Sequence, residues 1–194
     1  MVTRLGVYMA SNSGTSPAFA EAAEELGAAL AHRGIGMVYG GGDVGLMGVA
    51  ADAALAHGGE VIGVITDFLV GKEVAHPLLT ELRVTATMHE RKAVIADLSD
   101  GFIALPGGFG TIDEIAEMLT WDQLGLQAKS IVFLDVDGYW DPLLAMFDQS
   151  VAAGFLRPSH RALAQRAGSV DEAIELAIAP LAQVADKWMD RDAR

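Results

Sequence analysis

The segment GFIALPGGFGTIDE occupies residues 101–114 and decides the fold. Its first part, Gly101–Leu105, is a short aliphatic run that predicts a buried strand, whereas Thr111–Leu124 has the composition of a helix. A proline and three glycines between them predict a tight turn. A buried strand that passes through a glycine-rich turn into a helix is typical of parallel α/β proteins.

The same unit recurs on both sides of this segment. The predicted strands are Leu5–Met9, Ile35–Tyr39, Glu60–Thr66, Glu81–Thr87, Gly101–Leu105 and Lys129–Val136. Helices are predicted from Pro17 to about Arg33, over Leu46–His57, Met88–Leu98 and Thr111–Leu124, and over most of the chain from Tyr139 onward, while Asp67–Leu79 is predicted to be irregular. This alternation predicts an α/β fold, with a Rossmann-like, doubly wound parallel sheet in three layers. We expect residues 1–194 to form a single nucleotide-binding domain whose charged end, 186–194, frays.

Composition excludes several classes of function. With 26 acidic and 13 basic residues, the chain carries a formal charge of −13, which disfavours nucleic acid and anionic membranes as partners. The absence of cysteine excludes disulfides, thiolate catalysis and cysteine-ligated metal sites. No apolar run approaches the roughly 20 residues of a membrane helix, and no leader precedes the first strand. We therefore expect a cytoplasmic protein.

The turn at residues 106–111 predicts an anion-binding loop. Its glycines leave backbone N–H groups accessible at a helix start, and Thr111 adds a hydroxyl donor. Because no lysine follows the glycines, a monophosphate suits this loop better than a magnesium-bound triphosphate. The alternative is that Thr111 and Glu114 only form a capping box. Against it, carboxylates at Asp113 and Glu114 in the first helical turn would lie beside the bound anion.

A second glycine-rich turn, GGGDVG at residues 40–45, matches the G-x-G-x-x-G pattern of dinucleotide-binding proteins. It follows the second strand rather than the first, and the acidic residue about 20 positions on, Glu60, begins its strand instead of ending it. NAD binding is therefore disfavoured. Gly41, Gly42 and Gly45 could assist the phosphate site or form a tight turn without a ligand.

The segment MHERK at residues 88–92 opens the helix after the fourth predicted strand. Arg91 and Lys92 lie near a helix N-terminus, where the helix dipole disfavours cations. They are either a solvated pair matched by Glu90 or a clamp for an anion, and the neighbouring phosphate loop favours the clamp. The five histidines lack helical metal-ligand spacing, so no metal is predicted.

Taken together, these motifs resemble the LOG (LONELY GUY) family of cytokinin riboside 5′-monophosphate phosphoribohydrolases, proteins often labelled lysine decarboxylases. The resemblance extends from about Leu5 to Arg157. It is carried by GGDVGLMG at 41–48, MHERK at 88–92, PGGFGTIDE at 106–114, TWDQLG at 120–125 and DVDGY at 135–139. The loop at residues 9–14, MASNSG, departs from the Cys-Gly-Ser-Ser-like turn usual in the family.

The resemblance implies hydrolysis of the N-glycosidic bond of AMP or of a cytokinin riboside 5′-monophosphate, with release of the base and ribose 5-phosphate. It implies no cofactor, a homodimer, and Arg91 and Glu114 as the catalytic pair, both also contacting substrate. The long aliphatic helices over 19–30 and 88–98 also favour a homodimer. The remaining substrate-binding residues, expected from the motifs and the resemblance together, are Glu73, Met88, Lys92, Gly107, Gly108, Phe109, Gly110, Thr111, Ile112, Asp113, Thr120, Gly41, Gly42 and Gly45.

The chemistry leaves several roles open. Cleavage of the bond to a purine builds positive charge on the ribose, which Glu114 could stabilise, or Glu114 could activate water or bond covalently to the sugar. Arg91 could relieve charge on the leaving base or orient the phosphate or ribose. A non-enzymatic carrier of molybdenum cofactor or of a nucleotide is the main alternative, because such carriers have a similar Pro-Gly-Gly-x-Gly-Thr loop. The presence of both Arg91 and Glu114 favours the enzyme.

Overall fold

The computed structural model describes residues 4–70 and 75–180. The strands are β1 Arg4–Tyr8, β2 Gly36–Tyr39, β3 Val61–Thr66, β4 Glu81–Thr85, β5 Gly101–Ala104, β6 Ile131–Leu134 and β7 Ala164–Ala167. The helices are α1 Pro17–His32, α2 Gly45–Ala56, α3 Asp67–Val70, α4 Met88–Leu98, α5 Phe109–Gln123, α6 Asp141–Ala152, α7 Pro158–Arg161 and α8 Val170–Ile178. Two predicted features, the site residue Glu73 and the frayed end at 186–194, lie outside the described residues.

The strands form one sheet with the order β4-β3-β2-β1-β5-β6-β7, and neighbouring strands are parallel throughout. From β1 the chain winds outward to β4, then returns to β5 on the other side of β1 and winds outward to β7. The predicted doubly wound parallel sheet is thus confirmed. The direction of winding reverses between β1 and β5, and in such sheets ligands bind beyond the carboxyl ends of the strands at this reversal.

Helices cover both faces of the sheet, which confirms the three layers. On one face α1, α2 and α8 enclose a core that includes Leu26, Ala50 and Ile174. On the other face α4, α5 and the start of α6 enclose a core that includes Ile95 and Ile115. The inner strands are buried on both sides, as their continuous aliphatic runs require.

The described part of the chain from Tyr139 onward is mostly helical, as predicted, but it also contains a strand, β7, that the sequence analysis missed. Its sequence, AQRA, contains no β-branched or aromatic residue, so its composition gives no sign of a strand. The segment becomes a strand because it pairs in parallel with β6 along its whole length, at the edge of the sheet. A second correction is Asp67–Val70, predicted to be irregular, which forms a single helical turn.

Helix ends follow the local signals in the sequence. The Ser16 hydroxyl caps α1 by accepting a hydrogen bond from the N–H of Ala18, and Gly34 beyond its end adopts a φ of +67°. A capping box that the sequence analysis missed begins α4, where Thr87 and Glu90 each accept from the other's backbone. None of the described helices is long and apolar enough to cross a membrane.

Asp122, near the end of α5, is a buried carboxylate whose charge opposes folding. It is 7% exposed, and one oxygen accepts a hydrogen bond from the N–H of Lys129 at 3.3 Å. Burial raises the pKa of Asp122 to about 6, although the hydrogen bonds that it accepts act in the opposite direction. As the pH falls through 6, the folded protein takes up a proton at Asp122 before the unfolded chain does, and its free energy of unfolding rises. Above pH 6 the buried charge lowers that free energy.

Replacement of Asp122 by Asn should stabilise the protein at pH 8 by up to about 3 kcal/mol, the free energy equivalent of the pKa shift. This advantage should shrink as the pH falls from 6 towards 4, because the wild-type carboxyl then takes up its proton. Urea unfolding at pH 8 and pH 4.5 measures both quantities. Asp97→Asn, at an exposed side chain of α4, is the control and should change stability by less than about 0.5 kcal/mol at either pH. A variant less stable than wild type at pH 8 would contradict this account.

Candidate active site

A cavity of about 350 Å³ opens at the carboxyl ends of β1 and β2, beside the start of α5. It lies where the winding of the sheet reverses, as the sequence predicts. Half of the predicted site residues line it: Met88, Arg91, Gly108, Phe109, Gly110, Thr111, Asp113 and Glu114. The volume suits a small ligand.

Arg91 is the central side chain of this site. Its Nε donates to the Val64 carbonyl at 2.8 Å, and Nη2 lies 3.4 Å from the Gly40 carbonyl. Its Nη1 donates to Oε1 of Glu114 at 2.9 Å. The guanidinium therefore crosses the ends of β3 and β2 and reaches α5. The alternative of a solvated basic pair is wrong, since Arg91 is 6% exposed.

Gly40 makes room for this arrangement. A Cβ atom at position 40 would lie 2.2 Å from Nη2 of Arg91, so any larger residue would displace the guanidinium. The Arg91–Glu114 pair is buried on both sides, with Glu114 at 8% exposure. Removal of one partner from such a pair leaves an uncompensated buried charge and costs about 3–5 kcal/mol.

The start of α5 differs from the capping alternative. The helix begins at Phe109 with Gly108 as its N-cap, so Thr111 is the third helical residue, and Glu114 turns towards Arg91. The alternative, in which Thr111 and Glu114 only form a capping box, is therefore excluded. The first N–H groups of α5 have no acceptor within the helix, and they lie at the electropositive end of its dipole.

The glycines of this loop fall into two kinds. A Cβ atom on Gly107 would lie 2.1 Å from Oγ1 of Thr111, so this glycine serves packing within the loop. Gly108 and Gly110 face open space, where a Cβ atom would meet nothing within 4 Å. Packing therefore does not require glycine at these two positions, whereas a close approach of a ligand to the backbone would. The Tyr139 hydroxyl holds the loop by donating to the Gly107 carbonyl at 2.6 Å.

Lys92 does not line the cavity. Its ammonium group lies 3.1 Å from carboxylate oxygens of both Asp113 and Glu117, and so joins α4 to α5. Burial by itself would lower the pKa of Lys92, but the hydrogen bonds to these two carboxylates outweigh burial and raise it. The amine therefore stays protonated and is a poor nucleophile.

Gly40, the first glycine of the turn after β2, lines the cavity. The predicted residues of this turn, Gly41, Gly42 and Gly45, do not line it. Gly41 accepts a hydrogen bond from the N–H of His76, and Gly42 forms a β-bridge with Ala75. A Cβ atom on Gly45 would lie 2.3 Å from the backbone of the loop after β1. These three glycines therefore serve tight backbone packing.

The other predicted residues outside the cavity are on α5 and beside it. Gly107 packs against Thr111 within the loop, and Ile112 packs against the core under α5. Thr120 lines a separate cavity of about 350 Å³ between α5, α6 and α7. Thr120, which the sequence places in the substrate site, therefore does not line the same cavity as Glu114 within one chain. Six residues along a helix rotate a side chain by about 240°, so Thr120 lies on a different face from Glu114.

The sequence analysis missed several residues that line the cavity. They come from the end of β1, from the loop that follows it and from three other places: Val7 and Tyr8, then Met9, Ala10, Ser11 and Asn12, then Gly40, Met47 and Leu69. The rule that ligands bind beyond the carboxyl ends of the strands could have identified this loop, because β1 is one of the two strands at the reversal. The glycine-rich motifs drew attention to the other turns.

A possible metal-binding group in the described part of the chain consists of Asp43, Asp52 and His76. The N–H of Leu78 donates to Nδ1 of His76, so the proton of the neutral ring is on Nε2. Nε2 then donates to Asp52 at 3.1 Å. Since this nitrogen is engaged as a donor, the arrangement favours a structural hydrogen bond between α2 and the segment before β4 over metal ligation.

Comparisons with known proteins identify the family. The profile described as "Possible lysine decarboxylase" matches residues 47–177. A probable cytokinin riboside 5′-monophosphate phosphoribohydrolase of Oryza sativa subsp. japonica is 51% identical over 160 residues, which are 82% of this chain and 70% of that protein. The chain belongs to the LOG family. A second relative, the Arabidopsis thaliana cytokinin riboside 5′-monophosphate phosphoribohydrolase LOG7, is 43% identical over 88% of this chain and 79% of its own length.

Solved structures share the fold of this LOG-family chain. The molybdenum cofactor carrier protein of Chlamydomonas reinhardtii superposes with a TM-score of 0.68 at 26% identity, covering 90% of this chain and 95% of that chain. The molybdenum cofactor binding protein of Rippkaea orientalis gives a TM-score of 0.66 at 24% identity, covering 91% of this chain and 95% of that chain. Enzymes and carriers are thus built on one architecture, and the side chains of the site must distinguish them.

Replacement of Gly110 by Ala tests whether the backbone of the loop binds an anion. The new methyl group would enter open space on a helical residue, so we expect unchanged or slightly higher stability, by about 0.5 kcal/mol. We expect affinity for AMP to fall at least about tenfold, because the methyl would obstruct the phosphate. Calorimetric titration with AMP, beside thermal unfolding, measures both. Unchanged affinity would show that the anion binds elsewhere.

Proposed function

We propose that this chain hydrolyses the N-glycosidic bond of an adenine-type nucleoside 5′-monophosphate, releasing the base and ribose 5-phosphate. The observation that carries the proposal is the buried Arg91–Glu114 pair beside the open start of α5. The start of α5 offers N–H donors for a phosphate, and the ion pair offers a carboxylate, that of Glu114, held by the cation Arg91. A phosphoribosyl group needs both of these at its two ends.

The 5′-phosphate would bind at the start of α5. The N–H groups of Phe109, Gly110 and Thr111 belong to the first helical turn and lie at the positive end of the helix dipole. The loop contains no lysine, so this binding depends on backbone donors and on Arg91 nearby. A free nucleoside lacks the group that these donors recognise, and should be a poor substrate.

Glu114 would act at the anomeric carbon. Departure of the base leaves the ribose with oxocarbenium character, and a carboxylate beside C1′ stabilises that charge more in the transition state than in the ground state. Arg91 holds Oε1 of this carboxylate at 2.9 Å and so limits its rotation. The remaining N–H groups of Arg91 could contact the phosphate or the departing base.

The carrier alternative is favoured by fold likeness to the molybdenum cofactor carrier of Chlamydomonas reinhardtii. Higher identity to proteins named as phosphoribohydrolases favours the enzyme. Lysine decarboxylation, which the family description suggests, finds no support in the cavity. The nearby amine of Lys92 is protonated and paired with two carboxylates, which does not suit covalent catalysis.

Glu114→Gln tests the role of the carboxylate. The amide retains the size of the side chain and an oxygen for Arg91, so we expect the variant to fold, with lower stability because Arg91 loses its paired charge, and to bind AMP. Base release from AMP and from N6-isopentenyl-AMP, followed by chromatography, should fall by roughly 10²–10⁴-fold. The control is Glu117→Gln, one turn further along α5 and outside the cavity, which should keep most activity. Equal rates for Glu114→Gln and wild type would contradict the proposal.

We also propose that the chain forms a homodimer, although not through α1. That helix packs against α2 and α8, so it has little apolar surface left for a partner. Several exposed apolar side chains lie instead near the cavity and on the edge strand β4, among them Val84, Met88 and Phe109. Exposed apolar groups close to a site favour association of subunits there.

Light scattering coupled to size-exclusion chromatography should therefore give twice the chain mass at micromolar concentration. Val84→Glu, which places a charge on the exposed side of β4, should shift the protein towards monomer without loss of fold, since Val84 is 57% exposed. Leu126→Glu is the control at another exposed apolar residue, 69% exposed. A monomeric wild-type protein would refute the dimer.

A further inference from the structure

Tyr8 has a buried hydroxyl group that the proposed chemistry has not used. It is the last residue of β1, is 1% exposed, and contributes to the lining of the cavity. Its ring stacks on Phe102 with a centroid distance of 5.7 Å and an interplanar angle of 13°, which limits where the hydroxyl can lie. No described group hydrogen-bonds to that hydroxyl. Buried polar groups in native proteins nearly always have a partner, so an exception requires an explanation.

Tyr39, at the end of the adjacent strand β2, shows the usual situation. It is equally buried, and its hydroxyl donates to the Gly42 carbonyl at 3.1 Å. The two tyrosines occupy the ends of neighbouring parallel strands and differ in this one respect. The missing hydrogen bond of Tyr8 is therefore specific to its position and is not a general property of buried tyrosines in this sheet.

At that position Tyr8 lines the same cavity as both members of the ion pair. β1 is flanked by β2, whose Gly40 carbonyl receives Arg91, and by β5, which leads into the helix that carries Glu114. Burial is the main cause that raises the pKa of Tyr8 well above its usual value; Glu114 raises it further and Arg91 opposes both. The phenol therefore stays neutral and keeps its proton.

Three charged residues on the neighbouring helices act electrostatically on the Tyr8 hydroxyl. Arg91 is on α4, while Glu114 and Glu117 are on α5. Glu117 has its own partner, because it lies 3.1 Å from the ammonium group of Lys92. Glu114 is held by Arg91, a cation that a bound phosphate or a departing base would also attract.

We propose that Tyr8 is a positioning residue, whose buried hydroxyl donates a hydrogen bond to the Glu114 carboxylate when a nucleotide occupies the cavity. The proposal rests on the proposed function. When the nucleotide shares the charge of Arg91, the carboxylate loses part of its stabilisation. A neutral donor beneath it then keeps Glu114 ionised and in place while positive charge develops on the ribose.

Tyr8→Phe removes the hydroxyl and preserves the stacked ring. Because no described protein group hydrogen-bonds to this hydroxyl, the melting temperature should stay the same or rise by a few degrees. With AMP as substrate, kcat should fall about tenfold while KM changes less than about twofold. The acidic limb of the kcat–pH profile should move up by about one pH unit, since loss of a donor raises the pKa of the carboxylate that it served.

Tyr39→Phe is the matched control. It removes a hydroxyl that has a partner, so it should lower the melting temperature, and it should leave the acidic limb in place. A Tyr8→Phe variant with wild-type kcat and an unmoved acidic limb would overturn the proposal. A Tyr8→Phe variant less stable than wild type would also overturn it, because the hydroxyl would then have a partner in the empty protein. Absence of base release by the wild type would refute the proposed function instead.

Discussion

The site depends on one buried ion pair, Arg91 with Glu114. The guanidinium also bonds to carbonyl groups at Val64 and Gly40, so a single side chain joins the ends of β3 and β2 to helices α4 and α5. Each charge makes the burial of the other tolerable, since either one by itself would be strongly disfavoured. This arrangement requires glycine at position 40, because a Cβ atom there would clash with Nη2 of Arg91.

The doubly wound sheet explains why this buried pair lines a cavity. The reversal of winding between β1 and β5 leaves a cavity between the loops that follow the strands, and Arg91 and Glu114 both line it. The start of α5, with Gly108 and Gly110 facing open space, supplies donors for an anion a few residues from Glu114. A substrate with a phosphate at one end and a bond that develops positive charge at the other matches this arrangement. The same architecture in cofactor carriers shows that the fold does not determine the chemistry.

The sequence predicted those parts of the structure in which local composition and tertiary structure agree. Six strands, the helices α1, α2, α4 and α5 between them and the loop before Glu114 have clear apolar patterns and glycine signals, and they were predicted to within a few residues. β7 was missed because pairing with β6, and not the composition of AQRA, makes it a strand. Thr120 was assigned to the wrong cavity because the spacing from Glu114 gives the distance between the two residues along α5, whereas the packing of α6 and α7 decides which cavity Thr120 lines. Tyr8 was missed because an unpartnered hydroxyl can be recognised only in three dimensions.

A crystal structure of the Glu114→Gln variant with AMP tests the central claim most directly, since the substrate should remain uncleaved. The account predicts the 5′-phosphate on the backbone N–H groups of Phe109, Gly110 and Thr111, with C1′ of the ribose beside the side chain at position 114. Density for AMP in the other cavity, beside Thr120, or with the phosphate away from α5, would contradict it.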